Sequence, residues 1–196
     1  MKTPHCTRLF GLLCAAALSS CANQSDSARM PVSASLNPEA PTIRRSGNSM
    51  SDRVFDEVNS YRRSQGLREC QRHAGLDRLA QSHSEYLRQN RGKFSIYGKN
   101  VSHYGFEGRA MAARQTLGML SVSENVAAAN YPGQAAPGVL LELWRNSKDH
   151  HYNMKENWTH SGVGVVVDSD GMVFATQIFA TKNHSQLAMR ERMNSF

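Results

Sequence analysis

Residues 162–180 constrain the fold most tightly. Gly162-Val-Gly-Val-Val-Val167 is an apolar run without alternation, Asp168-Ser-Asp-Gly171 has the composition of a tight turn, and Met172 to Ala180 resumes the apolar pattern. The spacing predicts a β-hairpin. A strand that is apolar on both faces cannot leave either face in water, so its sheet must be covered on two sides. Helices precede the hairpin, and a sheet between helices is a three-layer α/β/α domain with a small, mainly antiparallel sheet.

The helices are read from their apolar spacing. Ser51 caps a first helix with Asp52 in its opening turn, Val54, Phe55, Val58 and Tyr61 mark one face, and Gly66 stops it. A second carries Leu76, Leu79, Ala80, His83 and Leu87 on its inner stripe and closes at Asn90-Arg-Gly92. His83 on that stripe reads as a hydrogen-bonded core histidine. An extended segment ending at Ser102 delivers His103, and Glu107 to about Leu117 has the composition of a third helix. Glu124 follows a short 118–123 connector. Pro132, Gly133, Pro137 and Gly138 mark a loop before a last helix from Val139 to about Asn146, and His150 comes just past that helix's end.

His103, Glu124 and His150 are the residues with chemistry to offer. Neutral imidazoles with a carboxylate can hold a divalent metal, polarise water, or satisfy one another as a buried polar cluster. Spacing alone does not bring them together, since 21 and 26 residues separate them.

Their contexts are Ser102-His-Tyr-Gly-Phe-Glu-Gly108, Ser123-Glu-Asn-Val-Ala127 and Trp144-Arg-Asn-Ser-Lys-Asp-His-His-Tyr-Asn153, followed by Trp158-Thr-His-Ser-Gly-Val-Gly164. In this order they resemble the CAP superfamily, or SCP domain, of cysteine-rich secretory and pathogenesis-related proteins. The likeness runs from about Val54 to Ala180 and is nearest to the bacterial branch. It implies the three-layer fold and a solvent-accessible cleft where two histidines and two glutamates can bind zinc or another divalent ion. His103, Glu124 and His150 match three members of that tetrad. The fourth position is Ser147 here, as is common in the bacterial branch, so a bound ion would keep positions open for water and exchange readily. Glu107, Asp149 and His151 are the nearest substitutes. Asn125 and Asn153 read as supporting residues that orient the cluster. His160 matches the family's threonine-histidine pair and reads as a histidine closing a hydrogen bond beneath the strand, while Trp144, Trp158 and Tyr104 line the cleft walls.

The chain organises into a signal peptide over 1–20, a lipidated disordered tether over 21–50, the CAP/SCP domain over 51–181 and a polar tail over 182–196. Lys2 and Arg8 precede an apolar stretch from Leu9 to Leu18 that is too short for a mature membrane helix. Leu18-Ser-Ser-Cys21 resembles a bacterial lipobox, which implies that Cys21 carries acyl chains, such as palmitate, and becomes the mature N-terminus. Several chains are needed for firm anchoring, at about 0.8 kcal/mol per buried methylene. The Ser-, Ala-, Asn- and Pro-rich tether would reach about 30 Å. Removal of the leader and acylation of Cys21 leave Cys70, a packed thiol, without a disulfide partner.

The net charge of +7 falls to +5 without Lys2 and Arg8, with 21 basic residues against 16 acidic. Arg62, Arg63, Arg68, Arg72, Arg78, Arg88 and Arg91 are scattered over a helical region without the aromatic interleaving of a nucleic-acid module, so no nucleic-acid partner is expected. Three functions follow. The first is a non-enzymatic binding module of the bacterial envelope, on the outer membrane facing the periplasm in a Gram-negative cell, with a metal, a lipid-like molecule, an envelope polymer or a partner in the cleft. The second is a hydrolase or peptidase using metal-bound water or a serine activated by His103. The third is a lipoprotein whose His/Glu cluster is purely structural.

Overall fold

The computed structural model describes residues 49–94, 100–130 and 133–182, together with Met193. All belong to the second of two units of the chain, which begins at Ser35. The leader, Cys21, nearly all of the tether and nearly all of the tail lie outside the described residues. Among those described, no helix is long and apolar enough to cross a membrane.

Among the described residues five helices and four strands follow in the order α1 (Met50–Ser64), β1 (Gln71–Arg72), α2 (Ala74–Gln89), α3 (Phe106–Leu117), β2 (Met119–Asn130), α4 (Ala136–Asn146), α5 (Lys148–Lys155), β3 (His160–Val167) and β4 (Met172–Lys182), with a short 3-10 turn at Gly133–Ala135. The strands form one sheet ordered β1-β3-β4-β2. β4 is antiparallel to both β3 and β2, and β1 pairs parallel to β3 through Gln71↔His160 and Arg72↔Ser161. The predicted hairpin is there, and β2 extends it on the far side of β4.

Both faces of the sheet are covered, as the unalternating hydrophobicity of β3 and β4 requires. Leu76, Leu79 and Ala80 of α2 and Ala113 and Leu117 of α3 pack against Ile178 and Ala180. Val54, Phe55 and Val58 of α1 and Leu140 and Trp144 of α4 pack against Val173, Ala175 and Phe179. Successive β4 residues therefore serve opposite cores, the period-two consequence of the pleat. The fold is a three-layer α/β/α sandwich.

The chain uses glycine where α2 meets β3. A Cβ on Gly162 would collide with the backbone of Leu76 and Asp77, and one on Gly164 with Ala80 and Gln81. This close approach lets α2 side chains finish the strand edge that the two-residue β1 leaves open. Val163 N–H donates to Asp77 Oδ1 at 2.8 Å and Val165 N–H to Gln81 Oε1 at 3.0 Å. An otherwise bare strand edge is thereby satisfied and hidden.

Four local readings differ from expectation. The cap of α1 is Ser49, whose side chain accepts from Asp52 N–H while Asp52 accepts from Ser49 N–H, a reciprocal capping box two residues upstream of the expected Ser51. The connector expected over 118–123 is instead the start of β2, and Glu124 sits in mid-strand. Alanines at 127–129 and polar residues at 121, 123, 124 and 125 hide its strand character, because they carry little of the β-branched signal. The last helix is two helices, with His150 inside α5, whose one buried residue, Met154, leaves no apolar period to read. β1 is too short to announce itself.

Candidate functional site

β2 is the sheet's outer strand, so consecutive residues on it project into different layers. Glu124 points toward the α2 and α3 side and Asn125 toward α5. The site lies across this strand edge.

Glu124 is 3% exposed. Arg109 of α3 meets it two-pronged, with Nε donating to Oε2 at 2.7 Å and Nη2 to Oε1 at 2.8 Å. His103 Nδ1 lies 3.1 Å from Oε1. Burial alone would raise the Glu124 pKa, but hydrogen bonds from His103 and Arg109 and the guanidinium charge outweigh it and hold the carboxyl below its ordinary value. An ionised carboxylate only accepts, so His103 carries its proton on Nδ1 in this contact. Glu124 thus fixes the tautomer and orientation of His103.

Gly105 makes the Arg109 grip feasible. It caps α3 in the left-handed region at φ +74, where a side chain is strained, and a Cβ there would press on Arg109 Nη1. The third arm of Arg109, Nη1, donates to the Tyr104 carbonyl at 2.9 Å. One guanidinium therefore holds both the carboxylate and the loop that presents His103.

His150 comes from the opposite layer, and its ring centre lies 6.0 Å from that of His103. Burial, then the His103 charge, lower its pKa, against a smaller raising effect of Asp149. Asn125 Nδ2 donates to the His150 carbonyl at 3.0 Å, and Asn153 Nδ2 donates to Asn125 Oδ1 at 3.0 Å and to the Glu124 carbonyl at 3.3 Å. Trp158 Nε1 in turn donates to the Asn153 carbonyl at 2.6 Å. The two asparagines thus seal the outer edge of β2 and hold α5 against it.

His83 lies behind the cluster, fully buried. Its Nε2 is 2.8 Å from the Ser102 carbonyl and 3.9 Å from Glu124 Oε1. A carbonyl only accepts, so Nε2 carries the proton, and burial, partly countered by Glu124, drives the pKa down to about 4. It is the neutral core histidine that the α2 stripe predicts.

The structure thus gathers His103, Glu124 and His150, with Asn125 and Asn153 beneath them. Ser147 occupies the cap position of α5, where its carbonyl accepts His151 N–H at 2.8 Å. His160 sits two strands from Glu124, its Nδ1 2.8 Å from Thr159 Oγ1 and its ring against His73. His151 turns to α1, 2.5 Å from the Tyr61 hydroxyl. Glu107 and Asp149 are exposed on their helices. Cys70 is buried, its thiol pushed up to about 11 by burial. Arg109 went unrecognised in sequence, although an arginine beside Ala110 and Ala113 on the inner side of an alanine-rich helix was its available sign.

The residues bear on metal binding unequally. Both Glu124 oxygens already receive donors, and a guanidinium 2.7 Å away repels an arriving cation. Two imidazoles sharing a tetrahedral ion bring their ring centres to about 5 Å. The 6.0 Å observed is near enough for His103 and His150 to fit such an ion after a small approach, with Glu124 standing behind His103 as the orienting acid. Among the described residues no group of three or more His, Cys, Asp or Glu side chains is placed to hold a metal ion jointly.

A family model described as the cysteine-rich secretory protein family, CAP, matches residues 55–179. The uncharacterized protein YkwD of Bacillus subtilis (strain 168) is 25% identical over 146 residues, which are 74% of this chain and 53% of that protein, so the chain spans about half the length of this curated relative. An extracellular SCP-domain protein of Bacillus anthracis str. Ames is 28% identical with a TM-score of 0.51, over 67% of this chain and 40% of that one. An outer surface protein of Borrelia burgdorferi has a TM-score of 0.53 at 14% identity, over 66% of this chain and 90% of that one, and shows the fold alone.

Proposed function

From the premise that this chain belongs to the CAP family of cysteine-rich secretory proteins, in its bacterial form, we propose that it is a non-enzymatic binding module of the cell envelope whose ligand enters the cleft between His103 and His150. The observation that carries this is the Arg109–Glu124–His103 chain of contacts, which fixes one imidazole at a partly open position while the His150 imidazole faces it 6.0 Å away. A buried ion pair spent on aiming a half-open histidine is a costly way to fill a core and an effective way to preorganise a site.

The cleft would hold a divalent cation such as zinc through the two histidines, with water or an exogenous group completing the shell. Such an ion would act as a Lewis acid toward whatever group it met. A lipid-like molecule, an envelope polymer or a partner surface are the other occupants of this reading. Two similar proteins named as extracellular and outer surface fit an envelope location. The lipobox at Cys21 supplies the means, with acyl chains in the membrane and the domain on its tether.

Elemental analysis of protein prepared without chelator or affinity tag, against the His103→Ala/His150→Ala double variant, tests the metal. Zinc present in the parent and lost in the variant supports it. Equal and negligible zinc in both overturns it. A mass spectrum of the mature N-terminus tests the anchor: an unacylated terminus other than Cys21 overturns that part.

A second reading, hydrolysis, draws on the same Glu124–His103 contact, since a carboxylate orienting an imidazole is also the arrangement of a general base. Turnover of envelope peptides that disappears with His103→Ala while the circular dichroism is kept would favour it over binding alone.

A further inference from the structure

A line of aromatic rings runs outward from beside the buried Glu124. His83 lies 3.9 Å from Glu124. Its ring stacks on Tyr86 with centres 5.8 Å apart and planes 15° off parallel, and Tyr86 stacks on Tyr104 at 5.5 Å and 21°. The series begins fully buried at His83 and ends at Tyr104, which is 52% exposed. Tyr104 follows His103 directly, so the ring at the open end belongs to the loop that supplies the cleft's first imidazole.

An exposed tyrosine is usually a mobile one, but this residue is held through its backbone on both sides of its Cα. Its N–H donates to Ser102 Oγ at 3.0 Å, and its carbonyl accepts from Arg109 Nη1 at 2.9 Å. With one face of the ring laid on Tyr86, it is the other face that water reaches. A ring fixed by its backbone, backed by a second ring and open on its outer side is a preorganised stacking surface.

Charge selects what that surface takes. The Arg109 cation is engaged by the Glu124 carboxylate and the Tyr104 carbonyl, so this ion pair closes on itself and its charge is already matched. A nucleotide or a phospholipid headgroup would find no unmatched charge at Arg109. A neutral ligand with one flat apolar face and a polar perimeter matches a tyrosine face that is backed by a second ring and half open to water, and a pyranose ring has that form.

The geometry points to Tyr104 as a platform for one sugar ring of a neutral oligosaccharide, stacked on its open face beside His103. This inference rests on the cleft being a binding site and names the ligand class for it. The role of Tyr86 is to back the platform, and the role of Arg109 is to fix its height relative to Glu124.

Chitotetraose, a neutral N-acetylated oligosaccharide, is the probe, titrated into the full chain with the tyrosine and histidine signals followed by NMR. Saturable shifts at Tyr104, Tyr86 and His103, weakened about tenfold by Tyr104→Ala and kept within about threefold by Tyr104→Phe, are expected. Because the backbone bonds of residue 104 do not use its ring, Tyr104→Ala should keep the fold, which circular dichroism checks. Shifts around His103 that survive Tyr104→Ala unchanged would overturn the platform and leave the cleft reading standing. Absence of any shift with chitotetraose, with a parallel zinc titration still moving His103 and His150, would overturn the sugar and again leave the cleft. Preference for adenosine or an aromatic tripeptide over the sugar would overturn the assignment of ligand class.

Discussion

Arg109 reaches both carboxylate oxygens of Glu124, at 2.7 and 2.8 Å, from a helix fifteen residues earlier in the chain, and both side chains are out of water. A buried pair of this kind contributes little net stability compared with an apolar pair of the same size, because desolvating two ions offsets their attraction. Breaking it is another matter, since the remaining charge is stranded.

Arg109→Met alone is therefore expected to destabilise the domain by roughly 3–5 kcal/mol, while Arg109→Met/Glu124→Leu recovers much of that loss. Urea denaturation of the two single variants and the double variant completes the cycle. A double variant that is as unstable as the sum of the singles would show that the two residues act independently.

Acid should unfold this domain through its histidines before its carboxylates. His83 titrates near 4 in the folded state against an ordinary 6.5, so between those values the unfolded chain binds a proton that the folded one refuses. Stability then falls as pH drops below about 6.5, and the His83 contribution is complete near pH 4, at on the order of 3 kcal/mol. His73 and His150 are lowered too and add to the slope with the same sign. Glu124, lowered instead from a carboxylate's usual value, withdraws its support only further down, below about pH 4.5. Denaturation midpoints from pH 8 to 4 measure the slope, and His83→Gln should flatten it.

The layered fold was legible because burial on both faces writes itself into residues 162–180 as an unbroken apolar run, and the helices because Val54 to Tyr61 and Leu76 to Leu87 keep a helical period. β2 was not. An outer strand covered by α3 on one side and α4 and α5 on the other loses its alternation, and its alanines carry no β signal. His103, Glu124 and His150 could be named from motif resemblance, but Arg109 could not, because the partner of a buried carboxylate is chosen by packing across fifteen residues and no spacing rule encodes it. His160 was named and sits two strands away, since the strand that starts with it pairs with β1 and β4 rather than β2.

Two glycine-to-alanine substitutions should move stability in opposite directions. At Gly164 the new methyl would meet the backbone of α2, so the helix must lift off β3 and strain its bond from Val165 N–H to Gln81. The cost is expected to be about 3 kcal/mol or more. At Gly138, inside α4, a Cβ meets nothing within 4 Å. Gly138→Ala should stabilise by about 0.4–1 kcal/mol through helix propensity and a less free unfolded chain. Thermal melts of both variants against the parent suffice, and a neutral Gly164→Ala would mean that α2 does not dock as closely as described.

Zinc affinity should depend on a residue that need not touch the ion. Glu124 accepts the Nδ1 proton of His103, which raises the basicity of the ring's other nitrogen and holds the ring facing His150. Glu124→Gln keeps the shape but removes the charge, leaving Arg109 unpaired and the imidazole poorly anchored. Affinity for zinc in a competitive titration is then expected to fall about 10- to 100-fold, as for other orienting acids behind a ligating histidine. Tyr61→Phe, which loosens only His151 on the α1 side, should leave it unchanged. An affinity unchanged in Glu124→Gln would overturn the orienting role.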